Sequence, residues 1–124
     1  MTDQAIQYLE SNRKIVIELD TNNLVNETIK RYEFLKRTIL EKCGKNLSVP
    51  EVDFNTNAIE YLQVTLSWFN GYHGLDLEVL DGRSSCFIYY VDSTEIPYKQ
   101  TDKWVTLNKD SLDWLVDKLL LFTE

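Results

Sequence analysis

The chain is poor in the residues that most often carry chemistry: among its 124 residues are one histidine, two cysteines, one methionine, two prolines and four glycines. A general base needs an orienting partner, and a metal site needs two or three further ligands. His73 has no second histidine, no HxxxH spacing and no cysteine cluster to complete either, and between Tyr72 and Gly74 it reads as an exposed turn histidine. Cys43 and Cys86 are too few for a disulfide framework and are not spaced as CxxC, so both read as small buried side chains in a reducing compartment. The glycines, at 44, 71, 74 and 82, are spread over expected helix ends and turns, and none opens a helix as GxGxxG or GxxxxGK. GxSxG is absent, and Ser84 and Ser85 have no assigned base. The expectation is a protein that is not an enzyme, with no metal and no cofactor.

Long apolar runs are missing too. The longest, near IVIEL and LVDKLLLF, fall well short of the roughly 20 residues of a membrane span. The polar start MTDQAIQYLESNRK has its charges the wrong way round for a secretory leader. A soluble, cytoplasmic protein of one domain is expected, with no membrane association.

What is abundant is acid. The net charge is −7, and it is uneven: residues 1–50 hold seven acids and eight bases, whereas residues 51–124 hold thirteen acids and five bases. A field of that sign repels a phosphate backbone, so direct nucleic-acid binding is disfavoured, while a basic protein surface would be attracted.

The hydrophobic pattern changes period along the chain. DQAIQYLES reads as a short helix, followed by an extended segment at IVIEL. After Asp20, Thr21, Asn22 and Asn23, any of which can cap a helix, Val25, Ile29, Tyr32, Leu35, Leu40 and Cys43 recur at spacings of three to five, with Ile39 beside them. This predicts a helix from Leu24 that Gly44 ends. A C-terminal helix is predicted over 109–122, with Leu112, Leu115, Val116, Leu119 and Leu120 as its buried stripe and Trp114 and Leu121 beside it. Between them the period is two. Leu62, Val64, Leu66 and Trp68, then Leu75, Leu77 and Val79, then Cys86, Ile88 and Tyr90 alternate with polar or aromatic neighbours. A four-residue loop at 70–73 sets Phe69 opposite Gly74, Trp68 opposite Leu75, Leu66 opposite Leu77 and Val64 opposite Val79. Asp81-Gly82 supplies a hairpin turn, and an edge strand is expected around Trp104 to Leu107. The fold class is α+β: an N-terminal helical region over 1–45, an antiparallel meander of three to four strands over 60–107, and a closing amphipathic helix.

The reverse of that sheet would carry Gln63, Thr65 and Ser67, then Asp76, Glu78 and Leu80, then Phe87, Tyr89 and Val91. Asp76 and Glu78 read as solvated acids rather than as an acid–base pair. The simpler expectation is that the long helix or the N-terminal segment covers Phe87, Tyr89 and Val91. If the face is open, it has the acid and aromatic content of a binding patch.

The function expected is therefore a small acidic binding protein that masks or inhibits a macromolecular partner with a basic surface, in the manner of an immunity protein, an antitoxin or a phage-encoded inhibitor. Its contact residues would be Asp76, Glu78, Phe87 and Tyr89, with Asp113, Trp114 and Asp117 on the C-terminal helix. Two alternatives stay open. One is a secretion-chaperone-like or adaptor protein, a homodimer with Leu80, Phe87 or Trp114 at its contact. The other is a small-ligand or nucleotide binder with a site around Tyr72, His73, Asp81 and Arg83.

Overall fold

In the computed structural model, which describes residues 3–12, 23–55, 63–80, 83–108 and 112–124, three helices lie on one side of a single antiparallel sheet. The helices are α1 (Gln4–Ser11), α2 (Leu24–Cys43) and α3 (Asp113–Leu119), the last tightening into a 3₁₀ turn at Leu120–Phe122. The strands are β1 (Glu51–Asn55), β2 (Gln63–Phe69), β3 (His73–Leu80), β4 (Ser85–Asp92) and β5 (Lys99–Thr106), paired in sequence order. The class is α+β as expected, but there are five strands rather than three to four. β1 was not anticipated, and β5 begins five residues before Trp104 because its first half, KQTDK, has no apolar alternation to reveal it.

Register follows the apolar residues. Phe69 pairs with Gly74, Trp68 with Leu75, Leu66 with Leu77 and Val64 with Val79, and across the next hairpin Val79 pairs with Cys86, Leu77 with Ile88 and Leu75 with Tyr90. A slip by one residue would turn this whole set to the other face, so burial holds the pairing in place. The 70–73 turn adds its own constraint: the Asn70 carboxamide oxygen accepts from the N–H groups of Tyr72 (3.1 Å) and His73 (2.8 Å). The Asp81-Gly82 turn, the IVIEL segment, Asp20 to Asn22, Leu62 and the 109–111 helix start lie outside the described residues.

α2 packs on β2 and β3 through Val25, Thr28, Tyr32, Leu35 and Ile39, a three–four spacing that keeps one face of a 3.6-residue helix toward the sheet. Its start is Asn23, which takes the left-handed conformation (φ 58°) and makes no side-chain cap; Gly44 (φ 66°) ends it as expected. Leu40 and Cys43 do not join the core. Leu40 points roughly 100° away from the Ile39 row, and Cys43, at the last helical position, is exposed, its thiol donating to the Ile39 carbonyl (2.9 Å). Cys86 is buried, and that burial pushes its thiol up against the opposing effect of the Arg31 guanidinium.

The C-terminal stripe is also adjusted. Leu112, Leu115, Val116 and Leu119 are buried, but Leu120 is exposed and Phe122 takes its place. The 3₁₀ turn advances each residue by roughly 120° instead of 100°, which swings Phe122 inward. The chain then pairs with the α2–β1 connection: Leu47 bridges Thr123, Ser48 N–H donates to Phe122 O (2.8 Å) and Glu124 N–H to Asn46 O (2.9 Å). No helix among the described residues is long and apolar enough to cross a membrane.

α1 is fastened by one carboxylate. Asp3 caps it through Ala5 N–H (2.8 Å), accepts from the buried Tyr32 hydroxyl (2.6 Å) and pairs with Lys36 Nζ (3.1 Å). Burial pushes the Asp3 carboxyl up, but the Tyr32, Lys36 and Ala5 donors outweigh it and hold the group below the usual aspartate range. Burial together with Asp3 raises the Tyr32 phenol.

Two outcomes are expected. Leu77→Ala, on a fully buried central-strand residue, should lower stability by about 2–5 kcal/mol in urea unfolding. Because the Asp3 pKa is depressed on folding, its contribution is complete above about pH 4 and is lost as pH falls through its lower folded value. The stability gap between the native protein and Asp3→Asn should therefore close on acidification below about pH 4, read as urea midpoints against pH.

Candidate acid and aromatic sheet face

With the three described helices on one side, the alternation of each strand turns its other row away from them; on that face Trp104 and Phe69 stand exposed, whereas Leu80 and Gln63, at one end of it, are buried. Phe87, Tyr89 and Val91 are half-buried rather than covered, and the described helices pack on the inner rows. The long helix does not cover this face: α1 lies on β1 and α2 on β2 and β3, while α3 packs on α2; the IVIEL part of the N-terminal segment, the other cover expected, lies outside the described residues.

Register assembles the open face into rows. One runs Glu51, Ser67, Asp76, Tyr89, Asp102 across the five strands; the next runs Asp53, Thr65, Glu78, Phe87, Trp104. The flanking rows, Asn55, Gln63, Leu80, Ser85, Thr106 and Phe69, Gly74, Val91, Gln100, are uncharged. Five carboxylates therefore share the sheet face with no lysine or arginine in any of these rows. Glu51, Asp53, Asp76 and Glu78 stand on backbone positions at the corners of a rectangle roughly 7 by 10 Å. The aromatic half adjoins them. Phe87 and Trp104 meet at 5.2 Å between ring centroids, tilted by 58°, and Trp104 is 53% exposed. Phe69, 77% exposed, places Cδ2 3.6 Å from where a Cβ on Gly74 would sit.

Charges of one sign at this spacing act on each other. Burial raises the Glu78 carboxyl, a hydrogen bond from Gln63 Nε2 (3.0 Å) opposes that rise, and the Asp76 and Asp102 carboxylates add to it. The Arg83 guanidinium reaches the face from its end and lies 5.6 Å above the Trp104 ring. Arg83 is itself held, its carbonyl accepting from Arg31 Nη2 (2.6 Å).

Of the contact residues expected from sequence, Asp76, Glu78, Phe87 and Tyr89 come together as direct cross-strand pairs, Asp76 with Tyr89 and Glu78 with Phe87. Asp113, Trp114 and Asp117 do not join them. They lie on α3, across the sheet, where Asp113 pairs with Lys42 (3.3 Å), Asp117 with Lys118 (3.9 Å), and Trp114 stands edge-on to the inner-face Tyr90 (6.2 Å) under Lys103 (4.4 Å). Sequence reasoning missed Glu51, Asp53, Asp102 and Trp104. Val52 and Phe54 alternating with acids was a strand signal, but a short one.

The other proposed sites separate. Tyr72 and His73 sit at one end of β3 and Arg83 just beyond the other, about eight strand residues or roughly 24 Å apart, and Asp81 lies outside the described residues. His73 is not an exposed turn residue: it opens β3 with its side chain 18% exposed, stacks on Tyr90 (6.3 Å, 16°) and sets Nε2 3.4 Å from Asp92 Oδ1. Its buried Nδ1 has no hydrogen-bond partner. Leu80 is buried, and Phe87 and Trp114 lie on opposite sides of the sheet. Among the described residues, no three His, Cys, Asp or Glu side chains are placed to hold a metal ion. A cleft of about 620 Å³ beside Trp68, Phe69 and Leu121 offers one carboxylate, Glu51, and neither a base nor a cation.

No family model, curated protein or solved structure matches this chain.

Raised on folding, the Glu78 pKa penalises the ionised form: the associated stability is complete below the usual glutamate range and is lost as pH rises through the folded value. Glu78→Gln, which keeps an acceptor for Gln63, should therefore be the more stable protein at pH 7 by up to about 1 kcal/mol. That advantage should shrink as pH falls toward 4, measured by thermal or urea unfolding.

Proposed function

We propose that the chain is a non-enzymatic binding protein whose open sheet face covers a basic surface on a macromolecular partner, masking or inhibiting it as an immunity protein, an antitoxin or a phage-encoded inhibitor would. The observation that carries this reading is the composition of the face: five carboxylates and the rings of Phe69, Phe87, Tyr89 and Trp104, with no cation in its rows. A protein selected for stability alone gains nothing from gathering carboxylates on one sheet face, whereas a field of one sign steers a basic partner and the exposed rings supply the desolvated contact.

The edges of the sheet favour contact through the face. A partner could instead add a strand to a sheet edge, but β5 presents Lys99, Asp102 and Lys103 and β1 presents Glu51 and Asp53, the charged kind of edge that resists strand addition. The face, not the edge, is the contact. The dimeric adaptor reading has no observation that favours it, and the residues of the small-ligand reading fall at opposite ends of β3.

The test is affinity purification with the full chain, followed by quantitative binding to the partner it retains. Neutralising the face in one variant (Asp53→Asn, Asp76→Asn, Glu78→Gln, Asp102→Asn) should weaken that partner at least tenfold and flatten the salt dependence of its association rate. Asp113→Asn with Asp117→Asn, on the helix side, should bind as the native protein does. Equal affinity of the face variant, with its circular dichroism unchanged, would overturn this function.

A further inference from the structure

We propose that the group this face reads on its partner is arginine: a guanidinium lies flat on the outer rings while adjacent carboxylates accept its N–H fork. The inference rests on the docking role proposed above and specifies the chemistry of that contact.

Three observations lead to it. The first is the alternation of rings and acids across the strands. Tyr89 stands directly between Asp76 and Asp102, and Phe87 between Glu78 and Trp104, so each ring has a carboxylate one strand away, about 4.8 Å. The second is that the chain already places a guanidinium on this surface, Arg83 over Trp104 at 5.6 Å, while the indole stays 53% exposed. The third is a contrast with the helix side. There the cations over rings are lysines, Lys103 on Trp114, Lys118 on Tyr90 and Lys36 on Tyr32.

The physical reason is the shape of the cation. Guanidinium is planar, weakly hydrated and carries its donors in the ring plane, so it can stack on an aromatic face and hydrogen-bond sideways to a carboxylate at the same time. An ammonium is a compact, strongly hydrated point charge that must lose more water to sit on a ring, and its donors do not lie in a plane. Carboxylates alone would accept either. A lattice of rings and carboxylates at strand spacing distinguishes them.

The probes are labelled nona-arginine and nona-lysine peptides, titrated against the full chain at 150 mM salt and read by fluorescence anisotropy. Nona-arginine is expected to bind at least tenfold more tightly. Trp104→Leu, an exposed edge-strand change, should bring the two peptides to within twofold of each other. Asp76→Asn with Asp102→Asn, which strips the carboxylates beside Tyr89 and leaves the indole in place, should weaken nona-arginine at least fivefold and serves where Trp104→Leu fails to fold. Equal affinities for the two peptides, or a preference that both variants leave intact, would overturn the arginine reading while leaving charge-based docking standing. Failure of both peptides to bind would overturn the two together.

Discussion

The packing of α2 and α3 on one side of the sheet is the constraint from which the rest of the molecule follows. Val64, Leu66 and Trp68 on β2, their partners on β3, and Cys86, Ile88 and Tyr90 on β4 all point into that layer. Each fully buried aliphatic side chain in it contributes roughly 1.5–3 kcal/mol before entropy is subtracted. A strand cannot bury one row without turning the next outward, so the inner core dictates where every acid and ring of the outer face stands. Tyr32 links the two levels, meeting Trp68 at 6.5 Å and holding Asp3 at the start of α1.

Freed from the core, the outer rows carry a composition that packing does not require. Asp76 and Glu78 lie on one strand two residues apart, and Asp102 is near enough to raise Glu78 further. An edge strand with lysines and a sheet face without them are two different solutions to exposure: the first keeps other strands away, the second leaves a field open to a cation. The face is also supported from beneath, because Arg31 on α2 bonds Cys86 Sγ (3.1 Å) and the Arg83 carbonyl, tying the ring-capping arginine to the helix layer.

The inner half of this design was legible in the sequence and the outer half only in part. Period-two alternation with apolar residues fixes parity, so the pairing of β2 with β3 could be written down residue by residue and the inner face of β4 named, though parity alone leaves the β3–β4 loop length open. The α2 boundaries at Leu24 and Gly44 were equally plain. The edge strands were legible only in part: Glu51–Asn55 is short and was not read, and of Lys99–Thr106 only the end from Trp104 was, since its first half is polar on both faces and a strand that buries little leaves little pattern. With the unread stretches went Glu51, Asp53 and Asp102, three of the five carboxylates of the candidate face, while Trp104, its largest ring, was read in a strand but not as part of the face. That Asp113, Trp114 and Asp117 fall across the sheet from this face was not legible for a different reason: helical periodicity tells which residues share a helix face, not which side of a sheet that helix takes.

Every strand pairs with its neighbour in the chain, yet the inner face of the sheet is closed by Leu112, Leu115, Val116, Leu119 and Phe122, which follow all five strands. Hairpins of this local kind form early, because closing short loops is fast. A meander that pairs before α3 docks leaves part of its apolar face bare, and a transiently exposed apolar face of that kind is where aggregation starts.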